Sequence, residues 1–319
     1  MINHGLVITL IVSGISYGTP LLLGGLGELL AERSGVLNLG LEGMFLVGAV
    51  CAFWASQKIG AASWLAILIA LLVAMLASSL MALIHAFVTI TLRGNQVVSG
   101  LALSIFGGAI GLSSYIGTVK HLGGQAGHHQ LSAINLVGLG DLPVLGPLIF
   151  HHDALVYVSW ILVAAVSFYL YRTRFGLNLR AVGEDPSAAD AMGVNVVRYR
   201  YVHTLAGGAF AGLAGAYYTL AISPQWSNGM TAGAGWIAIA LVIFAFWRPW
   251  LLLVGAYLFG IASGLGFTLQ SRGVNLPGEL FAAIPYLATM VVLVVVSSLL
   301  VHRHLGAPSA LGRPYVREE

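Results

Sequence analysis

Eight of the chain's 25 charged side chains fall between Arg172 and Arg200, in a 319-residue sequence that is only 8% charged. Apolar stretches of helix-forming length flank this segment on both sides, so Arg172, Arg174, Arg180, Glu184, Asp185, Asp190, Arg198 and Arg200 are expected to lie in water while their surroundings do not. Asp185-Pro186 is a good helix start, with Asp as N-cap and Pro at the first helical position, and Gly193 after Ala191-Met192 is a good stop. The enclosed helix of about two turns is too short to be stable alone in water, so something must hold it. Its Ala188, Ala189 and Ala191 give a narrow body that suits a groove. Arg180, Glu184, Asp190 and Arg198 could frame such a contact with polar pairs. The alternative is a solvated loop helix packed on the protein's own base.

The second group of interest is polar and sits inside apolar stretches, where ionisable residues are expensive and point to function. Glu42 lies one helical turn from Asn38, between Gly40 and Gly43, so the two side chains share a face and could line a polar cavity or hold an interrupted backbone. The structural alternative pairs Glu42 with Arg33 or uses it to cap neighbouring backbone. Glu28, Glu32 and Arg33 cluster just before it. Candidates for a solute path are Asn38, Glu42, Asn95, Gln96, Ser99, Tyr217, Tyr218 and Trp236, because amides and hydroxyls suit neutral hydroxylated solutes and aromatic faces suit a base. Tyrosine and tryptophan near the ends of spans also serve as interfacial anchors.

Other chemistries find no support. His121, His128, His129, His151, His152 and Asp153 are near one another in sequence, but their spacings match no closed metal site, and no metal is expected. His85 and His203 read as hydrogen-bonded packing residues. The single Cys51 lies in an apolar run and reads as packing. A phosphate-cradling G-x-x-x-x-G-K-[ST] loop is missing, since neither Lys58 nor Lys120 follows glycine.

The elements that carry these residues must be membrane helices. The chain is 58% hydrophobic with a mean hydropathy of +0.91, and its apolar runs of about 20 residues match the hydrocarbon core of a bilayer. Runs such as Leu65 to Leu76 are apolar on every face, which sets aside a β-barrel. The expected fold is all-α, a polytopic transmembrane helical bundle of about nine spans (8–10), near 6–28, 36–56, 63–92, 96–116, 153–171, 201–221, 232–247, 250–269 and 279–301. One domain fills residues 1–319, with an internal loop at 172–200 and an external loop at 117–152. Eleven arginines, Arg33 and Arg93 among them, fall on the side of the 172–200 loop, against Lys58, Lys120 and Arg272 on the other. The positive-inside rule then places that loop and the C-terminus in the cytoplasm and the N-terminus outside. Met1-Ile-Asn-His4 has no basic region, so the first run reads as a retained helix. Forty-one glycines suit close helix packing, and the Gly-rich entries Gly35 to Gly43 and Gly229 to Gly235 suggest an inverted repeat around a path. Basic residues are explained by topology, so the pI of 9.1 signals no nucleic acid.

Three blocks resemble a known family. Gly176 to Gly193 (GLNLRAVGEDPSAADAMG), Gly27 to Met44 (GELLAERSGVLNLGLEGM) and Gly233 to Pro249 (GAGWIAIALVIFAFWRP) are similar to the permeases of bacterial ATP-binding-cassette importers, in the branch serving ribose-type sugars and nucleosides. The blocks are spread in order along most of the chain. The near-immediate start at the first span is similar to the shorter nucleoside-type permease of a pair. The resemblance implies a permease of the cytoplasmic (inner) membrane that is not itself an enzyme. It further implies that Arg180, Gly183, Glu184, Asp185, Pro186, Ala188, Ala189, Asp190 and Gly193 form or flank a coupling helix resting on an ATPase subunit. ATP and Mg would belong to that partner, with no cofactor in this chain. The other implied partners are a second, paralogous permease and an extracytoplasmic substrate-binding protein. The function so implied is import of a nucleoside or related sugar. An ion-coupled secondary transporter is the alternative, but it needs buried carboxylates in several spans and Glu42 is nearly alone. An intramembrane protease lacks a nucleophile joined to a base.

Overall fold

The computed structural model describes residues 4–59, 63–271, 277, 280, 283–288, 290–291, 294 and 307–316. The helices are α1 (His4–Arg33), α2 (Leu41–Lys58), α3 (Ser63–Ala86), α4 (Gln96–Gly107), α5 (Leu112–Val119), α6 (Ala154–Arg172), α7 (Arg174–Glu184), α8 (Pro186–Ala191), α9 (Val196–Tyr217), α10 (Ala234–Phe244) and α11 (Pro249–Ser271). Both α3 and α9 run on into single π-helical turns, Phe87–Thr91 and Tyr218–Ile222. Between α5 and α6, two-residue strands β1 (Ile134–Asn135) and β2 (His151–His152) pair antiparallel.

Among the described residues, six helical stretches are long and apolar enough to cross a membrane: Gly5–Arg33, Ser63–Thr91, Gln96–Val119, Ala154–Arg172, Val196–Ile222 and Pro249–Gln270. The chain is therefore an all-α, multi-pass membrane protein. Three of the nine expected spans differ from this set. Residues 279–301 lie largely outside the described residues. The 36–56 run becomes a tight turn followed by α2, whose 18 residues are buried in the centre of the bundle on nearly all sides. The 232–247 run yields only the 11 residues of α10. At 1.5 Å per residue that is about 16 Å, half the thickness of the hydrocarbon core. The helix stops because Phe246 and Trp247 take left-handed conformations (φ 50° and 53°). Trp247 is pinned there by an indole N–H donated to Glu32, and its carbonyl accepts from Arg33 Nη2 at 3.1 Å.

Packing follows the small residues. One face of α3 buries Ala66, Ala70, Ala74, Ser78 and Ala82, each four residues apart, while Leu68, Leu72, Leu76 and Leu80 are exposed on the other. The buried stripe receives Gly208 and Gly212 of α9, where a Cβ would collide with the Ser78 and Ala74 carbonyls. Close backbone approach on the inside with leucine outside is the pattern expected when lipid is the solvent. Helices α1, α2 and α9 form the centre, and Phe45, Leu22, Leu26 and Met44 fill it without exposure.

Candidate functional site

At the arginine-rich end, α7 and α8 form a surface unit, but Arg200, expected in water, is buried, its Nη1 donating to the Arg313 carbonyl at 3.1 Å. Asp185 Oδ1 accepts from Ser187 and Ala188 N–H, both at 3.0 Å, which caps α8 as its sequence requires. Gly193 takes φ +81° after the last turn. The unit is held from beneath by Ala189, which packs with Val182 and Val196. The segment 307–316 straps it from the side: Glu184 Oε2 accepts from Ser309 N and Oγ at 3.2 and 2.9 Å, and Ala310 N donates to the Gly183 carbonyl at 2.9 Å. These contacts supply the support that a six-residue helix lacks. Ala189 and Gly183 face inward, and Arg180 lies over the Tyr171 ring at 5.5 Å. The surface offered outward is Asp185, Ser187, Ala188, Ala191 and Met192, the last 83% exposed. Asp190 and Val194 line a neighbouring groove of about 560 Å³.

The surface unit meets the end of α1, where a Cβ at Gly183 would strike the Arg33 carbonyl. Beside that contact runs the turn 34–40, and its fixation accounts for three of the eight path candidates. Asn38 N donates to Glu28 Oε1 at 3.0 Å, and Asn38 Oδ1 accepts from Gly40 N at 3.0 Å. Gln96 Oε1 accepts from Leu37 N at 2.7 Å. His85 bridges Ser99 Oγ and the Leu37 carbonyl, each at 3.0 Å. Asn95 caps α4 by accepting from Val98 N. Asn38, Asn95 and Gln96 are thus spent on holding backbone, and Ser99 on the His85 ring that holds it. His203 similarly joins the Tyr169 hydroxyl to the Tyr199 carbonyl.

The turn feeds directly into α2, whose first turn carries Glu42. Its partner is the loop before α10 and not Arg33. Oε1 accepts from Thr231 Oγ1 (2.6 Å) and Gly233 N (3.0 Å), and Oε2 accepts from Gly235 N (2.7 Å). A carboxylate on the first N–H groups of a helix satisfies donors with no intrahelical partner and sits at the positive end of the helix dipole. Gly235 is required here, because a Cβ would lie 2.5 Å from Glu42 Cα. The loop so held has Gly229, Ala232 and Gly233 at φ 72°, 46° and 82°.

Two cavities flank this loop. The smaller, about 360 Å³, is lined by Glu42, Ser104, Gly233 and Trp236 among others. The larger, about 650 Å³, lies between α1, the π turn after α9, the loop and α11, and is lined by Tyr17, Tyr218, Ser227, Thr231, Gln270 and Tyr286 with apolar neighbours. Ala232 lines both. Tyr217 lies elsewhere, its hydroxyl donating to Asp153 Oδ2 at 2.6 Å. Of the eight candidates, then, Glu42, Tyr218 and Trp236 reach the cavities. Tyr17, Thr231, Gln270 and Tyr286 escaped sequence reading; only the left-handed glycines around Thr231 offered a signal.

Residues 10–296 match the model of the family described as branched-chain amino acid transport system, permease component. The chain belongs to that family. The permease is 40% identical to a putative glucose ABC transporter permease protein of Haloferax volcanii over 95% of this chain and 96% of the relative. It is 37% identical to a guanosine ABC transporter permease protein of Bacillus subtilis over 94% of each. It is 34% identical to a nucleoside ABC transporter permease protein of Lactococcus lactis over 97% of each. No solved structure matches it. The resemblance drawn from the three sequence blocks is thereby met at the level of the family.

Proposed function

We propose that this permease is the membrane path of an ATP-binding-cassette importer that carries a nucleoside or a related sugar, with ATP and Mg bound by a separate ATPase subunit docked on α8. One observation carries the reading. The surface unit abuts the end of α1 and, through Gly312 N on the Gly35 carbonyl at 3.3 Å, the turn 34–40; that turn opens into α2; and Glu42 in the first turn of α2 grips the loop between the two cavities. A push on α8 therefore has a packed route to the loop.

In this reading Asp185, Pro186, Ala188 and Asp190 present the docking surface. Arg180, Gly183, Glu184, Ala189 and Gly193 shape and hold it. Glu42, Tyr218 and Trp236 belong to the path, and Asn38, Asn95, Gln96, Ser99 and Tyr217 set its frame. In the same reading the chain is one domain over 1–319, and the distribution of its arginines favours the 172–200 loop and the C-terminus in the cytoplasm, with the N-terminus and the 117–152 loop outside. The half-helix α10, with its positive end toward the cavities, is a device used by transporters at solute sites. The names of the relatives support the solute class. A binding protein outside and a second, paralogous permease complete the assembly.

The test is uptake into proteoliposomes holding the complete complex with its binding protein. Labelled guanosine should enter only when ATP is supplied on the ATPase side, and a proton ionophore should leave the rate unchanged. Uptake that ignores ATP and collapses with the ionophore would reject the reading.

A further inference from the structure

The larger cavity has a composition that discriminates among solutes. Tyrosine rings enter it from three separate parts of the chain: Tyr17 from α1, Tyr218 from the π turn after α9, and Tyr286. Leu21, Met230 and Ile237 supply apolar wall between them. Among its described lining residues there is no Asp, Glu, Lys, Arg or His. The hydroxyls are not equally free. Tyr286 donates to the Ala232 carbonyl at 2.6 Å, which fixes its ring beside the loop, and Thr231 donates to Glu42. Among the described residues the hydroxyls of Tyr218, Ser223 and Ser227 make no hydrogen bond, so the cavity keeps polar groups beside its aromatic wall.

We propose that this cavity is a chamber for a nucleoside, holding the base against its tyrosine rings, Tyr218 among them, and the ribose against the hydroxyls of Ser223, Ser227 and Tyr218, and that it disfavours free hexoses and nucleotides. The inference rests on the importer reading and narrows its solute class. A base offers a flat π-face that stacks on aromatic side chains, and a ribose concentrates hydroxyls at one end. A hexose carries hydroxyls around its whole rim, and placing them against Leu21, Met230 and Ile237 strips water without replacing it. A nucleotide brings a phosphate into a cavity whose described lining has no cation to meet it. The volume of about 650 Å³ lies within the range of about 300–1,000 Å³ usual for small-molecule sites. The π turn is what makes the arrangement possible. It sends Tyr217 to Asp153 and turns the adjacent Tyr218 to the cavity.

The test reads binding on this chain itself. The full complex in nanodiscs, without its binding protein, is photolabelled with radioactive 8-azidoguanosine, and unlabelled competitors are titrated. Guanosine and uridine should protect the chain, while glucose and guanosine monophosphate should fail to protect at the same concentration. Tyr218→Leu should weaken protection by guanosine about tenfold, the loss of one stacked ring. Tyr218→Phe, which keeps the ring, should weaken it by no more than about threefold. ATPase activity of each variant complex reports its folding. Equal protection by glucose and guanosine, or unchanged protection in Tyr218→Leu, would overturn the inference. A complex that carries no ATPase would sink the importer reading instead, and the labelling would still decide what the cavity holds.

Discussion

Replacing Glu42 by glutamine removes one charge and exchanges one oxygen for an amide, with no change in length. The carboxylate accepts three hydrogen bonds, two on Oε1 from Thr231 and Gly233 and one on Oε2 from Gly235. Glutamine can keep the Oε1 pair but then turns an NH₂ group toward the Gly235 N–H, so that donor is left facing a donor. A hydrogen bond to a charged group contributes about 1.5–3 kcal/mol. An anion at a helix N-terminus adds about 0.3–1 kcal/mol. The loop 229–233 should thus lose about 2–4 kcal/mol of restraint, roughly 30- to 700-fold in the ratio of held to released loop. Hydrogen exchange measured on peptides covering 229–237 should show the Gly233 and Gly235 amides exchanging faster by a factor of that order. Uptake should fall at least tenfold while the complex still assembles. Glu42→Asp keeps the charge but draws it back by one methylene, and should lie between the two. Unchanged exchange together with uptake within twofold of the parent would refute the assignment of Glu42 as the grip on this loop.

Three further outcomes follow from the same geometry. Ala188→Trp and Asp185→Lys alter the outward face and cap of α8, so both should abolish co-purification of the ATPase while leaving the amount of membrane-inserted chain intact; normal docking in both would remove α8 from the interface. Gly212→Val should reduce the monodisperse yield after detergent extraction severalfold and lower the melting temperature, because a side chain there meets the Ala74 carbonyl where α3 and α9 touch; an unchanged melt would deny that contact its role. Burial holds the His152 imidazole below its ordinary 6.5, so the released segment binds the proton more readily than the packed one. Packing of 134–152 should then weaken as pH falls through about 6.5 and stay constant above it, seen as faster amide exchange at low pH beyond the intrinsic rate. His152→Phe should lose that dependence.

How far the sequence could be read varied with the range of the interaction that decides each feature. The cap and stop of α8 are local, and Asp185 and Gly193 occupy the positions that their types imply. The apolar runs are local too, and six of them are helices long enough to span. The short α10 was not legible, since it ends at two bulky aromatics in left-handed conformations, the second held by Glu32 and Arg33 from far away in the chain. Glu42 stood out by its setting, but its partners lie about 190 residues away and no spacing rule reaches them. Asn38, Gln96 and Ser99 were noticed for being polar in an apolar chain; the polarity serves backbone groups of the turn 34–40, a demand visible only once the turn is folded. Tyr217 and Tyr218 are indistinguishable as letters, and the π turn separates them. Ala188 and Ala189 differ in the same way, one outward and one buried in the base.

The most direct measurement is mild-detergent extraction of the tagged full chain from its native membrane, followed by mass spectrometry of what accompanies it. An ATPase with a phosphate-binding loop and a second permease should accompany the parent chain, and the ATPase should be lost from Ala188→Trp. A homogeneous oligomer of this chain alone, whose uptake collapses with the proton gradient, would contradict the importer.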